Sequence, residues 1–267
     1  MTDGLRLTVL GSGYLGITHA ASMASLGFDV LGVDTDRRKV DQLNDGQLPI
    51  YEPGLEELLR DGLAAGRVRF TTSYQEAAAV GDVHFMCTGT PQQPGSNQAD
   101  LSQVHACVAT LAPLLDRPCL VVGKSTVPVG TARRLATELS HACPGAELAW
   151  NPEFLREGTA VADTLSPDRI VVGVTSSRAE QILRQVYARP LAAGAAFIVT
   201  TLETAELAKA AAIALMKEIF VARRNIIDAR NVLDPGVWRE AGWEYRALGM
   251  AADAEAMTRL DPSPWQA

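Results

Sequence analysis

The stretch LRLTVLGSGYLGITHAASMASLGFDVLGVD, Leu5–Asp34, decides the fold. Leu5–Leu10 has the apolar alternation of a strand, and Phe28–Asp34 has the character of a second one. Between them Gly11-Ser12-Gly13-Tyr14-Leu15-Gly16 matches GxGxxG and opens a helix expected over about Leu15–Leu26. In such a turn the first glycine permits the bend and the second lets the backbone approach a pyrophosphate. The third lets the helix pack closely on the strand. Phosphates there meet free N–H groups and the positive end of the helix dipole. Asp34 ends the second strand, at the distance expected of a carboxylate that binds adenosine ribose hydroxyls. A merely tight glycine turn is the competing reading, and it leaves Asp34 unexplained. Asp34 would repel a 2′-phosphate and so favours NAD, whereas Arg37, Arg38 and Lys39 would suit one. NAD is the cofactor expected, because the acidic residue stands at the strand end.

Working outward, Val68–Phe70, Val83–Cys87, Leu120–Gly123, Ile170–Val174 and Ala196–Thr200 read as further strands. Helical patterns at Leu55–Ala64, Leu101–Leu115, Gly130–His141 and Ala179–Tyr187 separate them. This alternation predicts an α/β fold, a doubly wound Rossmann-type parallel sheet covered by helices on both faces, over residues 1–200. Glu203–Arg223 is alanine-rich and free of Gly and Pro, which predicts one long helix connecting at 201–224. Ile226–Asp228, a Pro-initiated helix at Pro235–Ala241 and a strand near Trp243–Arg246 follow within 225–250. Residues 251–267 read as a loose tail.

The chain has 267 residues, 47% of them hydrophobic and 21% charged, with a formal net charge of −7. That acidic balance excludes an ordinary nucleic-acid surface, which needs a basic excess. No cationic leader precedes an apolar run, and no uncharged segment is long enough to span a bilayer, so no membrane association is expected. Four cysteines, Cys87, Cys107, Cys119 and Cys143, are scattered without CxxC spacing. They point to reduced thiols and a cytoplasmic protein. The histidines (His19, His84, His105, His141) have no ligand spacing and imply no metal.

Thr88, Thr90, Ser125 and Thr126 lie at the carboxyl ends of predicted strands, where ligands of open α/β sheets bind. Ordinary turn capping is the competing reading. Glu153 and Glu157 are spaced i, i+4, which puts them on one face if that turn is helical.

Taken together, GSGYLG at Gly11–Gly16, LPIYEPGLEELL at Leu48–Leu59, CTGTP at Cys87–Pro91, GKSTVPVGT at Gly123–Thr131 and NPEFLREGTAVADTLSPDRIVVG at Asn151–Gly173 resemble the UDP-glucose 6-dehydrogenases, within the UDP-glucose/GDP-mannose dehydrogenase family. The resemblance runs from Leu5 to Lys209. PIYEPGL resembles the UDP-glucose branch more than the GDP-mannose branch, which stands as the alternative. The resemblance implies a nucleotide-sugar substrate, UDP-glucose, oxidised twice at C6 with NAD. It implies that Gly11, Gly13, Tyr14, Leu15, Gly16, Asp34, Lys39, Thr88, Thr90, Ser125, Thr126 and Glu157 contact the cofactor. Glu153, Phe154, Leu155, Arg156, Glu157 and Lys209 are the implied substrate contacts. Glu153 is then the acid/base that assists hydrolysis of an acyl intermediate. Lys209, with Thr126, serves the hydride-transfer step by stabilising a developing oxyanion. An exposed helical lysine is the plain alternative for Lys209.

The chain also departs from the family. Ile213 stands where the family has an asparagine, and no GFGGxC-like segment supplies the nucleophilic cysteine. IIDARNVLDPGVWREAGWEYRALGM, Ile226–Met250, resembles the far carboxyl end of the family, a strand–helix–strand remnant of its UDP-binding domain. The family's subunit contacts run through the long helix, which is cut short here, so the sequence leaves a homo-oligomer possible without fixing the oligomeric state. None of the four cysteines is placed for covalent capture of an aldehyde. The readings that follow are a NAD-dependent enzyme of this family, a non-catalytic NAD-binding regulatory module, or a chain completed by a subunit that carries the missing segment.

Overall fold

The computed structural model describes residues 4–96, 98–219, 225–228, 236 and 244–247. The opening stretch forms β1 (Arg6–Leu10), α1 (Tyr14–Ser25) and β2 (Asp29–Val33). Then follow α2 (Arg37–Asn44), α3 (Leu55–Ala64), β3 (Val68–Thr71), α4 (Tyr74–Val80) and β4 (Val83–Met86). The chain continues through α5 (Ser102–Leu111), β5 (Leu120–Gly123), α6 (Thr131–Ala142), β6 (Glu147–Trp150), α7 (Ala160–Leu165) and β7 (Arg169–Gly173). It then forms α8 (Ser177–Val186), α9 (Ala188–Ala192), β8 (Ala196–Thr200) and α10 (Leu202–Ile219).

Eight strands make one sheet in the order β3-β2-β1-β4-β5-β6-β7-β8. Successive residues of β1 serve opposite faces, as the pleat requires. Leu7 and Val9 pack with Ile17, Met23 and Phe85 on the α1/α3/α8 side, and Leu10 packs with Met86, Leu111 and Leu135 on the other. The expected doubly wound α/β fold is therefore present. Its sheet is not uniformly parallel, however. β6 and β7 are antiparallel and meet at Trp150 and Gly173, while β7 pairs parallel with β8. The link from β6 is held at the carboxyl end of the sheet, where Asn151 donates to Val171 and Glu52 binds the amides of Gly158 and Ala160. The chain thus enters β7 from that end and runs back.

Several elements lay outside the pattern read from the sequence. α2 starts because Asp36 accepts from the amides of Arg38 and Lys39, and α4 because Ser73 accepts from Glu76 N. β6 and α7 are too short for periodicity to mark them.

The chain divides into two compact units, Met1–Ala211 and Ala212–Ala267. In the second, β9 (Asn225–Asp228) pairs parallel with β10 (Glu244–Ala247). The helix expected at Pro235–Ala241, Gly236 excepted, and the tail at 251–267 lie outside the described residues. Among the described residues no helix is long and apolar enough to cross a membrane.

Within the first unit Glu206 fastens the start of α10 to the sheet domain. Its carboxylate is 1% exposed and accepts from Gly130 N and Ala132 N, each at 2.6 Å, at the first turn of α6. Those amides have no intrahelical partner and carry the positive end of the helix dipole. Glu206→Ala leaves the buried Ala132 amide and the half-buried Gly130 amide unpaired, so unfolding in urea should show a loss of roughly 2 kcal/mol.

Candidate functional site

The strand order reverses between β1 and β4, and in such sheets a crevice opens at the carboxyl ends of the two strands that flank the reversal. The glycine turn lies there. Gly11 has φ +95°, a left-handed conformation suited to glycine, and its N–H donates to Val33 O at 2.8 Å. A Cβ on Gly16 would stand 1.8 Å from the Gly11 carbonyl oxygen, so α1 begins in direct backbone contact with the turn. A Cβ on Gly13 would meet nothing within 4 Å; this side of the turn is open to a ligand.

Asp34 is the fixed charge of this end. Its carboxylate accepts from Ser12 N at 2.9 Å, Lys39 Nζ at 2.8 Å and Asp36 N at 3.0 Å. Burial raises its pKa, but the Lys39 hydrogen bond, the two amides and the Lys39 charge outweigh that and hold it below the usual carboxylate range. The buried hydroxyls of Ser12 and Thr88 have no partner in the protein. Open space at Gly13, two orphaned hydroxyls and a ribose-length carboxylate fit a dinucleotide.

The loops after β4 and β5 are tied together. Ser125 Oγ donates to Thr88 O at 2.6 Å, and Thr90 Oγ1 donates to Thr126 O at 2.8 Å. Turn stabilisation accounts for Ser125 and Thr90, and leaves the buried Thr88 hydroxyl without a partner in the protein.

Residues 151–156 are not helical, so Glu153 and Glu157 do not share a helix face. The local reason is that Glu153 accepts from Leu155 N at 2.8 Å and Asp163 accepts from Arg156 N at 2.8 Å, bonds that compete with a helical turn. What the loop does bring together is Glu153 and Lys209, with Nζ to Oε1 at 3.1 Å. Lys209 is not an exposed helical lysine: its side chain is 13% exposed, and Nζ lies 5.4 Å from the centre of the Phe154 ring. Arg169 stacks over the same ring at 4.9 Å. Arg156 instead forms an ion pair with Asp163 at 2.7 Å, and Glu157 is exposed.

Two buried charges join the site without any recognised spacing in the sequence. Lys124, 6% exposed, donates to Asn151 Oδ1 at 3.1 Å, an oxygen that Tyr187 OH also reaches at 2.5 Å. Burial lowers the Lys124 pKa and the nearby Lys209 charge adds to that, against the opposing influence of Cys87 and Glu153. The cue available was its place directly after an all-apolar strand. Glu52, 3% exposed, accepts from Tyr14 OH, Gly158 N and Ala160 N. It sits within the PIYEPGL block without having been singled out there.

All four cysteines are buried. Burial pushes the thiols of Cys87 and Cys107 up to about 12 and that of Cys119 up to about 11. His84 is held in the core by Thr8 Oγ1 at 2.7 Å, and His19 packs edge-on against Phe85.

Residues 5–191 match the UDP-glucose/GDP-mannose dehydrogenase family, NAD binding domain. The chain is 42% identical over 224 residues to the UDP-glucose 6-dehydrogenase of Rhizobium meliloti, covering 81% of this chain and 51% of that one. Among solved structures, a UDP-glucose dehydrogenase from Pyrobaculum islandicum superposes with a TM-score of 0.75 at 40% identity, covering 80% of this chain and 50% of that one. A GDP-mannose dehydrogenase from Pseudomonas aeruginosa, solved as a ternary complex, gives 0.75 at 31% identity, covering 79% and 49%. The chain spans about half the length of the curated relatives it matches.

Proposed function

We propose that this chain, which belongs to the UDP-glucose/GDP-mannose dehydrogenase family through its NAD-binding domain, binds NAD at the Gly11–Gly16 turn and presents the Glu153–Lys209 pair to the sugar end of a UDP-glucose-type substrate. The observation that carries this reading is the Asp34 carboxylate, held ionised between Ser12 N and Lys39 Nζ at the end of β2. Asp34 and Lys39 hold the adenosine ribose, and the amides of the turn, with Tyr14 and Leu15 in the first turn of α1, hold the pyrophosphate. Thr88, Thr90, Ser125 and Thr126 line the cofactor between the two halves of the crevice. NAD, when bound, supplies the hydride acceptor.

Lys209 Nζ, largely removed from water, stabilises negative charge developing on a sugar oxygen. Glu153 Oε1 neutralises it in the resting site and exchanges a proton once substrate displaces that contact. Phe154, Leu155 and Arg156 shape the loop against the nucleotide sugar, and Glu157 faces the nicotinamide side. A nucleotide-sugar partner of the UDP-glucose class follows from the names of the relatives, with the GDP-mannose class as the competitor in a binding assay. A second reading, a NAD-binding module with no covalent step, is favoured by the burial of every thiol.

The Asp34 role is tested by calorimetry. Asp34→Asn removes a charge-assisted acceptor, so NAD affinity should fall about tenfold or more while the preference against NADP weakens. An affinity equal to that of the wild type would overturn the cofactor assignment.

A further inference from the structure

Glu52 reaches two parts of the site that are far apart in sequence. It lies on the loop between α2 and α3, yet one of its carboxylate oxygens, Oε2, accepts both from the hydroxyl of Tyr14, the first residue of α1, and from Gly158 N at 2.8 Å. The other oxygen, Oε1, accepts from Ala160 N at 2.7 Å, and the Val161 amide bonds to the same carboxylate. The backbone of Glu52 is itself fixed, since its carbonyl accepts from Leu55 N at 3.1 Å at the start of α3. At 3% exposure the side chain has no water to replace a lost partner.

We propose that Glu52 is a positioning residue that couples the dinucleotide turn to the Glu153–Gly158 loop, so that occupancy of the turn sets the order of the loop that receives the sugar. The inference rests on the reading that NAD binds at Gly11–Gly16. A clamp with only a structural duty would need the loop amides alone. Here a single oxygen atom is shared with the residue that follows Gly13, so a shift of the first turn of α1 is felt at Gly158 without any intermediate side chain. Burial raises the Glu52 pKa, but the hydrogen bonds from Tyr14, Gly158, Ala160 and Val161 outweigh it, so the carboxylate stays ionised and keeps all its acceptor sites.

The experiment is hydrogen–deuterium exchange of a peptide covering 153–161 in the full chain, with and without NAD, each protein at an NAD concentration that saturates it by calorimetry. In the wild type NAD should slow exchange there about fivefold or more. Tyr14→Phe keeps the loop amides bonded to Glu52, so exchange without NAD should match the wild type while the slowing by NAD disappears. Glu52→Gln should exchange faster without NAD and lose the slowing as well. NAD binding without slowing in the wild type, or full slowing in Tyr14→Phe, would overturn the coupling. A Glu52→Gln protein that is less stable but keeps the wild-type slowing ratio would reduce Glu52 to a structural clamp, and so also overturns it. Absence of NAD binding by the wild type would instead overturn the cofactor reading beneath it.

Discussion

Replacing Gly16 with valine is expected to abolish measurable NAD binding and to lower the stability of the domain. Even the first carbon of a side chain there would lie 1.8 Å from the Gly11 carbonyl oxygen and 2.9 Å from the Gly11 carbonyl carbon. Both obstacles are backbone, so no rotamer change relieves them, and the contact yields only if α1 moves away from the turn. Overpacking of that kind costs on the order of 3 kcal/mol. Withdrawal of α1 also removes amides from the pyrophosphate. Losing two charge-assisted bonds of roughly 1.5–3 kcal/mol each lowers affinity by about 100-fold or more. Calorimetry with NAD and a thermal melt measure the two effects separately. Gly13→Ala is the control: a Cβ there meets nothing in the protein, so the fold should persist and only ligand approach should suffer. A Gly16→Val protein that binds NAD like the wild type would show that the turn does not hold the pyrophosphate.

The second large effect concerns turnover. Mixed with UDP-glucose and NAD, the 267-residue chain taken by itself is expected to release no UDP-glucuronate. The covalent step implied by the family resemblance needs a thiolate beside the sugar. Cys87 stands closest to the candidate site, adjoining Thr88 at the end of β4. Its thiol is pushed up to about 12, mainly by burial, even with Lys124 close by. At neutral pH about one such thiol in 100,000 is ionised. Cys107 and Cys119 are buried and raised in the same way, and Cys143 is buried with Sγ 3.8 Å from Arg117 O. A colourimetric thiol reagent should therefore leave the native protein unlabelled and titrate four thiols after denaturation. Acid product, detected by mass spectrometry with the purified chain alone, would contradict this.

Much of the fold is legible in the sequence because its signals are local. The glycine turn, the apolar alternation of β1 and the apolar runs at Leu120–Gly123 and Ala196–Thr200 each carry their own pattern, and the strands fall within a residue or so of their expected ends. β6 and α7 are short, and their placement depends on tertiary bonds from Asn151 and Glu52, which no window of neighbouring residues contains. The same cause explains the antiparallel turn of the sheet at β7, whereas the i, i+4 reading at Glu153 and Glu157 fails through the nearby bonds to Leu155 N and Arg156 N. In the site, Asp34 was legible because a strand end places it, and Lys39 through the family resemblance. Glu52 and Lys124 were not, because burial makes them matter and burial is a property of the assembled domain. Lys209 shows the intermediate case: its helix was predictable, but its contact with Glu153 was not.

The reach of Glu52 also bears on how the protein is made. Its carboxylate is bonded to Ala160, 108 residues further along the chain. At about 5–20 residues per second, a ribosome takes roughly 5–20 s to synthesise that interval. For all of that time the nascent chain holds the glycine turn, α1 and the Glu52 loop, but not the amides that complete the Glu52 shell. The amino-terminal half therefore waits, with an ionisable group still in water, and can close around it only after the Gly158–Val161 segment has left the exit tunnel. Slowing translation between these points should lengthen the interval in which a protease cuts the emerging chain, without altering the finished protein.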